Sequence, residues 1–158
     1  MNDFPKKVTF HEEGPREGIQ MEKQLFPLSE RIALVEALAE TGLEQIQVAS
    51  FVNPKAVPSM ADTEELFAGI KKKSGVRYTA LWLNKSGFLR AQDTPNVDMK
   101  GFLTFYASNA LSMRNSNCSA EENRLRQVEW VKLYKEAGLP LETAYITTTF
   151  GCNVQGEI

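Results

Sequence analysis

Residues 29–50, SERIALVEALAETGLEQIQVAS, decide the fold class of this chain. Ile32, Val35, Leu38 and Ala39 recur at the three- and four-residue intervals that put side chains on one face of a helix. Ser29 stands where an N-cap is wanted, and Gly42 where a left-handed residue ends the helix. Ile46 to Ala49 then reads as a buried strand. A helix followed directly by a buried strand is the repeating half of an α/β fold.

The alternation extends in both directions. Upstream, Val8-Thr9-Phe10 is a short β-rich stretch that runs into a Gly/Pro-punctuated loop from Glu12 to Gly18. Downstream, a loop carrying Pro54 and Pro58 leads to Asp62-Thr63-Glu64-Glu65, which has capping-box spacing. That box predicts a helix through Leu66, Phe67 and Ile70 to the lysine run 71–73, whose charges complement a helix C-terminus. Val76–Leu83 reads as a third strand, Gly87–Ala91 as a short helix and Met99–Tyr106 as a fourth strand. Ser119-Ala120-Glu121-Glu122 is another capping box, opening the longest helix, which ends at Ala137-Gly138. Leu141–Thr149 is the fifth strand.

The strands are nearly continuously apolar, as parallel strands covered on both faces must be. An open doubly wound sheet and a closed barrel both fit, and periodicity does not choose between them. The long loops after strands one, two and four lie at strand C-terminal ends, the face that carries sites in both architectures.

Bulk composition narrows the function. The chain has 158 residues, 42% hydrophobic and 24% charged, which reads as one domain with a sizeable core. Its 18 basic and 20 acidic residues give a net charge of −2, so charge argues for no nucleic-acid and no membrane partner. No apolar run reaches the roughly 18 residues of a membrane span. The opening residues 1–7 lack the apolar core of a secretory signal. Cys118 and Cys152 make no disulfide framework, and a reduced, cytoplasmic setting is expected.

The chemistry concentrates in His11-Glu12-Glu13-Gly14-Pro15-Arg16-Glu17-Gly18-Ile19-Gln20. Charged groups packed between a strand end and two glycines are costly to hold unless they meet a ligand, a metal or each other. Arg16 offers a planar fork suited to a carboxylate or a developing enolate oxygen. Glu17 offers a hard oxygen ligand for Mg²⁺ or Mn²⁺. The plainer alternative is a solvated loop with an Arg–Glu surface pair. Trp82 and Trp130 read as packing residues, and His11 as a structural residue or a substrate contact.

The stretch Glu13–Gln20 resembles the V-G-P-R-D-G-L-Q signature of the hydroxymethylglutaryl-CoA lyase family. The likeness continues through residues 50–62, SFVNPKAVPSMAD, similar to the family's S-F-V-S-P-K-x-V-P-Q-M-x-D loop. It continues again at residues 115–119, NSNCS, and 150–156, FGCNVQG, which resemble N-x-N-x-S and G-C-P-x-x-G. Order and spacing hold over essentially the whole chain. The resemblance implies a TIM (β/α)₈ barrel of the pyruvate carboxyltransferase-like superfamily. Residues 1–158 would then be a partial barrel domain of about five β/α units.

It also implies an activity: retro-Claisen cleavage of a 3-hydroxy-acyl-CoA to a ketoacid and acetyl-CoA, with a divalent cation, Mg²⁺ or Mn²⁺. Carried over by position, Arg16 takes the catalytic arginine role and Glu17 that of the metal-binding aspartate. Gln47 occupies the place of the acidic residue that orients the arginine. Gln20, Lys23, Asn115 and Asn117 match positions near the substrate, and the expected partners are the acyl-CoA and a second copy of the chain. Cys152 matches a small-residue position in the loop after strand five.

Three departures stand out. Glu17 is one methylene longer than aspartate, about 1.5 Å. Gln47 is neutral, so it can hydrogen-bond Arg16 without balancing its charge. The family's H-x-H metal ligands and catalytic cysteine come from the sixth strand and beyond, and His11 matches neither ligand.

Five strands do not close a barrel that needs eight. The expectation is therefore a portion of a chain of about 300 residues, or a piece that dimerises to cover its edges, inactive as a lyase by itself. The alternatives are a condensing synthase of the same superfamily and a non-catalytic half-barrel that binds or scaffolds. The Ser50–Asp62 loop favours the lyases over the synthases.

Overall fold

The computed structural model describes residues 4–158. They form two compact units, divided between residues 99 and 100.

The first unit is built on a parallel sheet in the order β1 (His11–Glu12), β2 (Gln45–Ser50), β3 (Arg77–Leu81). The first strand lies later than Val8–Phe10. A strand exists only where a neighbour offers backbone partners, and β2 begins at Gln45, which pairs with His11. Val8 and Phe10 are exposed instead. Every residue of β2 is buried, the polar Gln45, Gln47 and Ser50 included. Its register against β3 slips between Gln47 and Ala49, so that Val48 is a bulge. Bulges re-aim side chains and recur beside sites.

Between β1 and β2 the chain forms a π-helical turn, Gly14–Gly18, then α1 (Ile19–Met21) and α2 (Leu28–Ala39). Helix α2 starts one residue before Ser29, with Pro27 at the cap, and ends short of Gly42, which nevertheless takes the left-handed conformation at φ 87°. Helix α3 (Thr63–Gly69) begins at Asp62 as expected, but Asp62 caps nothing. Its carboxylate is taken by the buried Arg31 of α2, at 2.5 Å. The lysine run follows α3 rather than ending it. Lys72 pairs with Asp98, and Lys73 with Glu40. Helix α4 (Lys85–Asp93) is capped by Asn84, which accepts from Gly87 N at 2.8 Å. The core gathers Val35, Ile46, Val48, Phe51, Phe67, Tyr78 and Trp82, all but excluded from solvent. Trp82 meets Phe88 edge-on at 5.7 Å, the packing role its sequence predicts.

The second unit pairs β4 (Gly101–Tyr106) with β5 (Leu141–Thr147), again in parallel. The segment after β4, expected to be a loop, contains helix α5 (Asn109–Ser116), capped by Ser108 and ended by Asn117 in the left-handed region at φ 50°. The longest helix, α6 (Ala120–Glu136), opens with the full capping box of Ser119 and Glu122. Helix α6 packs on β4, and Trp130 stacks on Tyr134 at 5.4 Å.

Candidate active site

The C-terminal end of β1 runs straight into the π-helical turn, and this turn sets the geometry. Arg16 N and Glu17 N both donate to the Glu13 carbonyl, at 3.1 and 2.7 Å. Pro15 is buried inside the turn, Arg16 is nearly buried beside it, and Glu17 stands exposed at the rim. The Arg16 side chain is only 11% exposed, yet all three of its nitrogens have partners. Nε donates to Gln47 Oε1 at 2.5 Å, Nη2 to Glu13 Oε2 at 2.7 Å, and Nη1 to Glu17 Oε2.

A buried guanidinium is tolerable only when paired and hydrogen-bonded, and this one is both. The counter-charge comes from Glu13 and Glu17, and Gln47 supplies direction without charge. Glu13 is the member that the sequence reading passed over. Its spacing of three residues from Arg16 is the available signal, because one turn brings those positions to the same side.

The other expected positions fall out differently. Gln20 Oε1 accepts from the buried Ser50 hydroxyl at 3.2 Å, tying the segment after Arg16 to the end of β2. Lys23 is exposed. His11 sits in β1 with its side chain exposed. Asn115 and Asn117 belong to the second unit, both exposed, and Asn117 serves there as the left-handed residue closing α5. Cys152, also in the second unit, is buried. The Ser108 hydroxyl and the backbone N–H groups of Val154 and Gln155 hold its thiol below the usual range.

The donor set fits a divalent cation only in part. Glu17 offers the right kind of oxygen, and its side chain is 55% exposed at the rim, but it is already paired with Arg16. Among the described residues no three His, Cys, Asp or Glu side chains group so as to hold a metal. No helix among them is long and apolar enough to cross a membrane.

Comparison with known proteins places the chain in a family. The HMGL-like family model matches residues 7–158. The 3-hydroxy-3-isohexenylglutaryl-CoA/hydroxy-methylglutaryl-CoA lyase of Pseudomonas aeruginosa is 39% identical over 156 residues, which are 99% of this chain and 51% of that protein. The mitochondrial hydroxymethylglutaryl-CoA lyase of Bos taurus is 38% identical, over 98% of this chain and 47% of its own length. The crystal structure of a Pseudomonas aeruginosa hydroxymethylglutaryl-CoA lyase superposes with a TM-score of 0.85 at 40% identity, covering 98% of this chain and 50% of that one. An HMG-CoA lyase from Acinetobacter baumannii, solved with coenzyme A and 3-methylmalate, gives 0.83 at 30% identity, with 96% and 48% covered.

The chain thus spans about half the length of the curated relatives it matches. The fold is α/β, matching these TIM-barrel lyases in its parallel strands without closing a barrel. Enzymes of this family are in general dependent on a divalent metal. Relatives carry both "mitochondrial" and "cytoplasmic" in their names.

Proposed function

We propose, from the premise that this chain belongs to the HMGL-like family, that it supplies the Arg16 half of a carbon–carbon lyase site acting on a 3-hydroxy-acyl-CoA. The observation that carries this reading is the nearly buried Arg16, fixed by Gln47 at the C-terminal end of β1.

In the proposed reaction the 3-hydroxyl loses its proton and the bond between C2 and C3 breaks. The C3 oxygen becomes a ketone, and the electron pair passes into the thioester enolate of acetyl-CoA, which then takes up a proton at carbon. Arg16 donates N–H groups to the oxygen on which negative charge develops. Each terminal nitrogen of Arg16 keeps a second N–H beyond the one given to Glu13 or Glu17, and these are the donors that meet the substrate. The Gln47 hydrogen bond keeps the plane of the fork aimed. Gln20, Lys23, Asn115 and Asn117 are assigned to substrate binding.

Mg²⁺ or Mn²⁺ is the proposed cofactor, with Glu17 as one ligand and the remaining ligands outside the described residues; when bound, such an ion polarises substrate oxygens. Both cysteines are free thiols, in keeping with a cytoplasmic setting. The proposed assembly is a homo-oligomer, and residues 1–158 are proposed to belong to one barrel domain.

One observation favours a second reading. Gln47 is neutral and every Arg16 nitrogen is already engaged, as in a closed ion cluster that only stabilises a non-catalytic binding protein. The deciding experiment incubates the full natural polypeptide with 3-hydroxy-3-methylglutaryl-CoA and Mg²⁺. The lyase reading expects equal amounts of ketoacid and acetyl-CoA. A polypeptide that binds the thioester but cleaves neither it nor bulkier 3-hydroxy-acyl-CoAs belongs to the second reading.

A further inference from the structure

The loop from Phe51 to Asp62, which leaves the end of β2, is gripped at both ends by arginines from helices. At its start, Arg90 of α4 donates Nε and Nη2 to the two carboxylate oxygens of Glu64, at 2.6 and 2.9 Å. Its Nη1 reaches the Val52 carbonyl at 3.1 Å, and its guanidinium carbon lies 5.5 Å from the centre of the Phe51 ring. Phe51 in turn stacks on Phe67 at 5.9 Å. Helix α4 comes so close here that a Cβ at Gly87 would stand 2.2 Å from the Phe51 carbonyl oxygen. At the far end, the buried Arg31 holds Asp62 at 2.5 Å.

Between these grips, Asn53–Ala56 is exposed and ordered only by its own turn, with Lys55 N donating to Asn53 Oδ1 at 3.0 Å. The loop also borders the Arg16 site. Ser50, directly before it, holds Gln20, and the Pro58–Met60 turn packs against α1.

Planar bidentate pairing, a third hydrogen bond and a ring contact on one side chain are far more than a solvated surface arginine makes. We propose that Arg90 is a positioning residue for the lyase site: by clamping the Val52 carbonyl to α3 and α4, it holds the exposed Asn53–Ala56 tip in place for the incoming acyl-CoA. This rests on the lyase reading above and adds a residue that the Glu13–Gln20 signature does not contain.

The test compares the full natural polypeptide with its Arg90→Gln, Arg90→Lys and Glu64→Gln variants, reading kcat, KM and the rate of trypsin cleavage after Lys55. For Arg90→Gln we expect KM for the acyl-CoA to rise about tenfold, the size of one charge-assisted hydrogen bond. We expect kcat to hold within about twofold, because Arg90 does not touch the Arg16 cluster. Cleavage after Lys55 should quicken by a similar factor. Arg90→Lys, which keeps the charge but loses the fork, should recover only part of the KM effect. Glu64→Gln frees Arg90 but leaves its Val52 and Phe51 contacts, so it should raise KM in the same direction by a smaller factor. The double variant should be no worse than Arg90→Gln.

An unchanged KM overturns the inference even if cleavage quickens, because the clamp then has no bearing on the site. Unchanged cleavage overturns it too. If Arg90→Gln fails to fold, Arg90→Lys and Glu64→Gln give the same readings. A natural polypeptide with no lyase activity at all overturns the underlying reading instead, which separates the two failures.

Discussion

Arg16 keeps only 11% of its side chain exposed while its three nitrogens meet Gln47, Glu13 and Glu17. Removing the one neutral partner isolates what direction alone contributes. Gln47→Ala leaves a nearly buried Nε without its acceptor, and we expect a loss of about 1–3 kcal/mol in urea denaturation. An unchanged midpoint would mean that water replaces the amide. The pairing of Arg16 with position 47 was legible, because the sequence likeness put an orienting side chain there. The contribution of Glu13 was less so, since it depends on the π-helical turn that closes residue 13 over residues 16 and 17. No pattern of apolar residues announces such a turn.

At the scale of elements, side chains that look like caps can be claimed by tertiary partners. Ser119 and Glu122 complete their box, each side chain bonding the other residue's backbone N–H. Ser119→Ala should cost about 1 kcal/mol, measured by the same denaturation. Asp62 has the same sequence promise, but Arg31 takes its carboxylate, and that distant partner is invisible in a window of four residues. Helix α5 was missed for a related reason: residues 109–116, NALSMRNS, carry no apolar stripe, and its signals are Ser108 at one end and Asn117 at the other.

The Arg90–Glu64 clamp also sets a pH response. The hydrogen bond from Arg90 holds the Glu64 carboxyl below its ordinary value, and it does so through a partly exposed pair, with side chains 30% and 37% accessible. A lowered folded-state pKa stabilises the protein above the unfolded value and stops doing so as pH falls through the folded one. The stability difference between the protein and Glu64→Gln should therefore be constant above about pH 5.5, at no more than about 1 kcal/mol after solvent screening, and should vanish toward lower pH. Paired melts across that range measure it.

At the scale of the whole molecule, the second unit leaves apolar surface uncovered. On β5, Leu141, Tyr145 and Ile146 are exposed, and so are Leu125, Val128 and Val131 on α6. Exposed strand faces and edges of this kind promote pairing between chains. The chain by itself should sediment as an oligomer, and Ile146→Lys should shift it toward monomer; a monomer at every concentration would contradict that. The α/β alternation and the parallel pairing were both readable from the runs of apolar residues, but the burial expected of every strand was not met by β5, which is largely exposed. Exact strand limits were not readable, because each depends on where a neighbour's backbone begins, as His11 and Gln45 show.

The central claim is that Arg16 works on the reacting oxygens instead of merely closing an ion cluster. The most direct measurement is kcat for cleavage of 3-hydroxy-3-methylglutaryl-CoA by the full natural polypeptide and its Arg16→Gln variant, with folding checked by circular dichroism. The lyase account predicts a folded variant whose kcat falls by about 10²–10³-fold. A folded variant that keeps kcat within about threefold of the natural protein would contradict it.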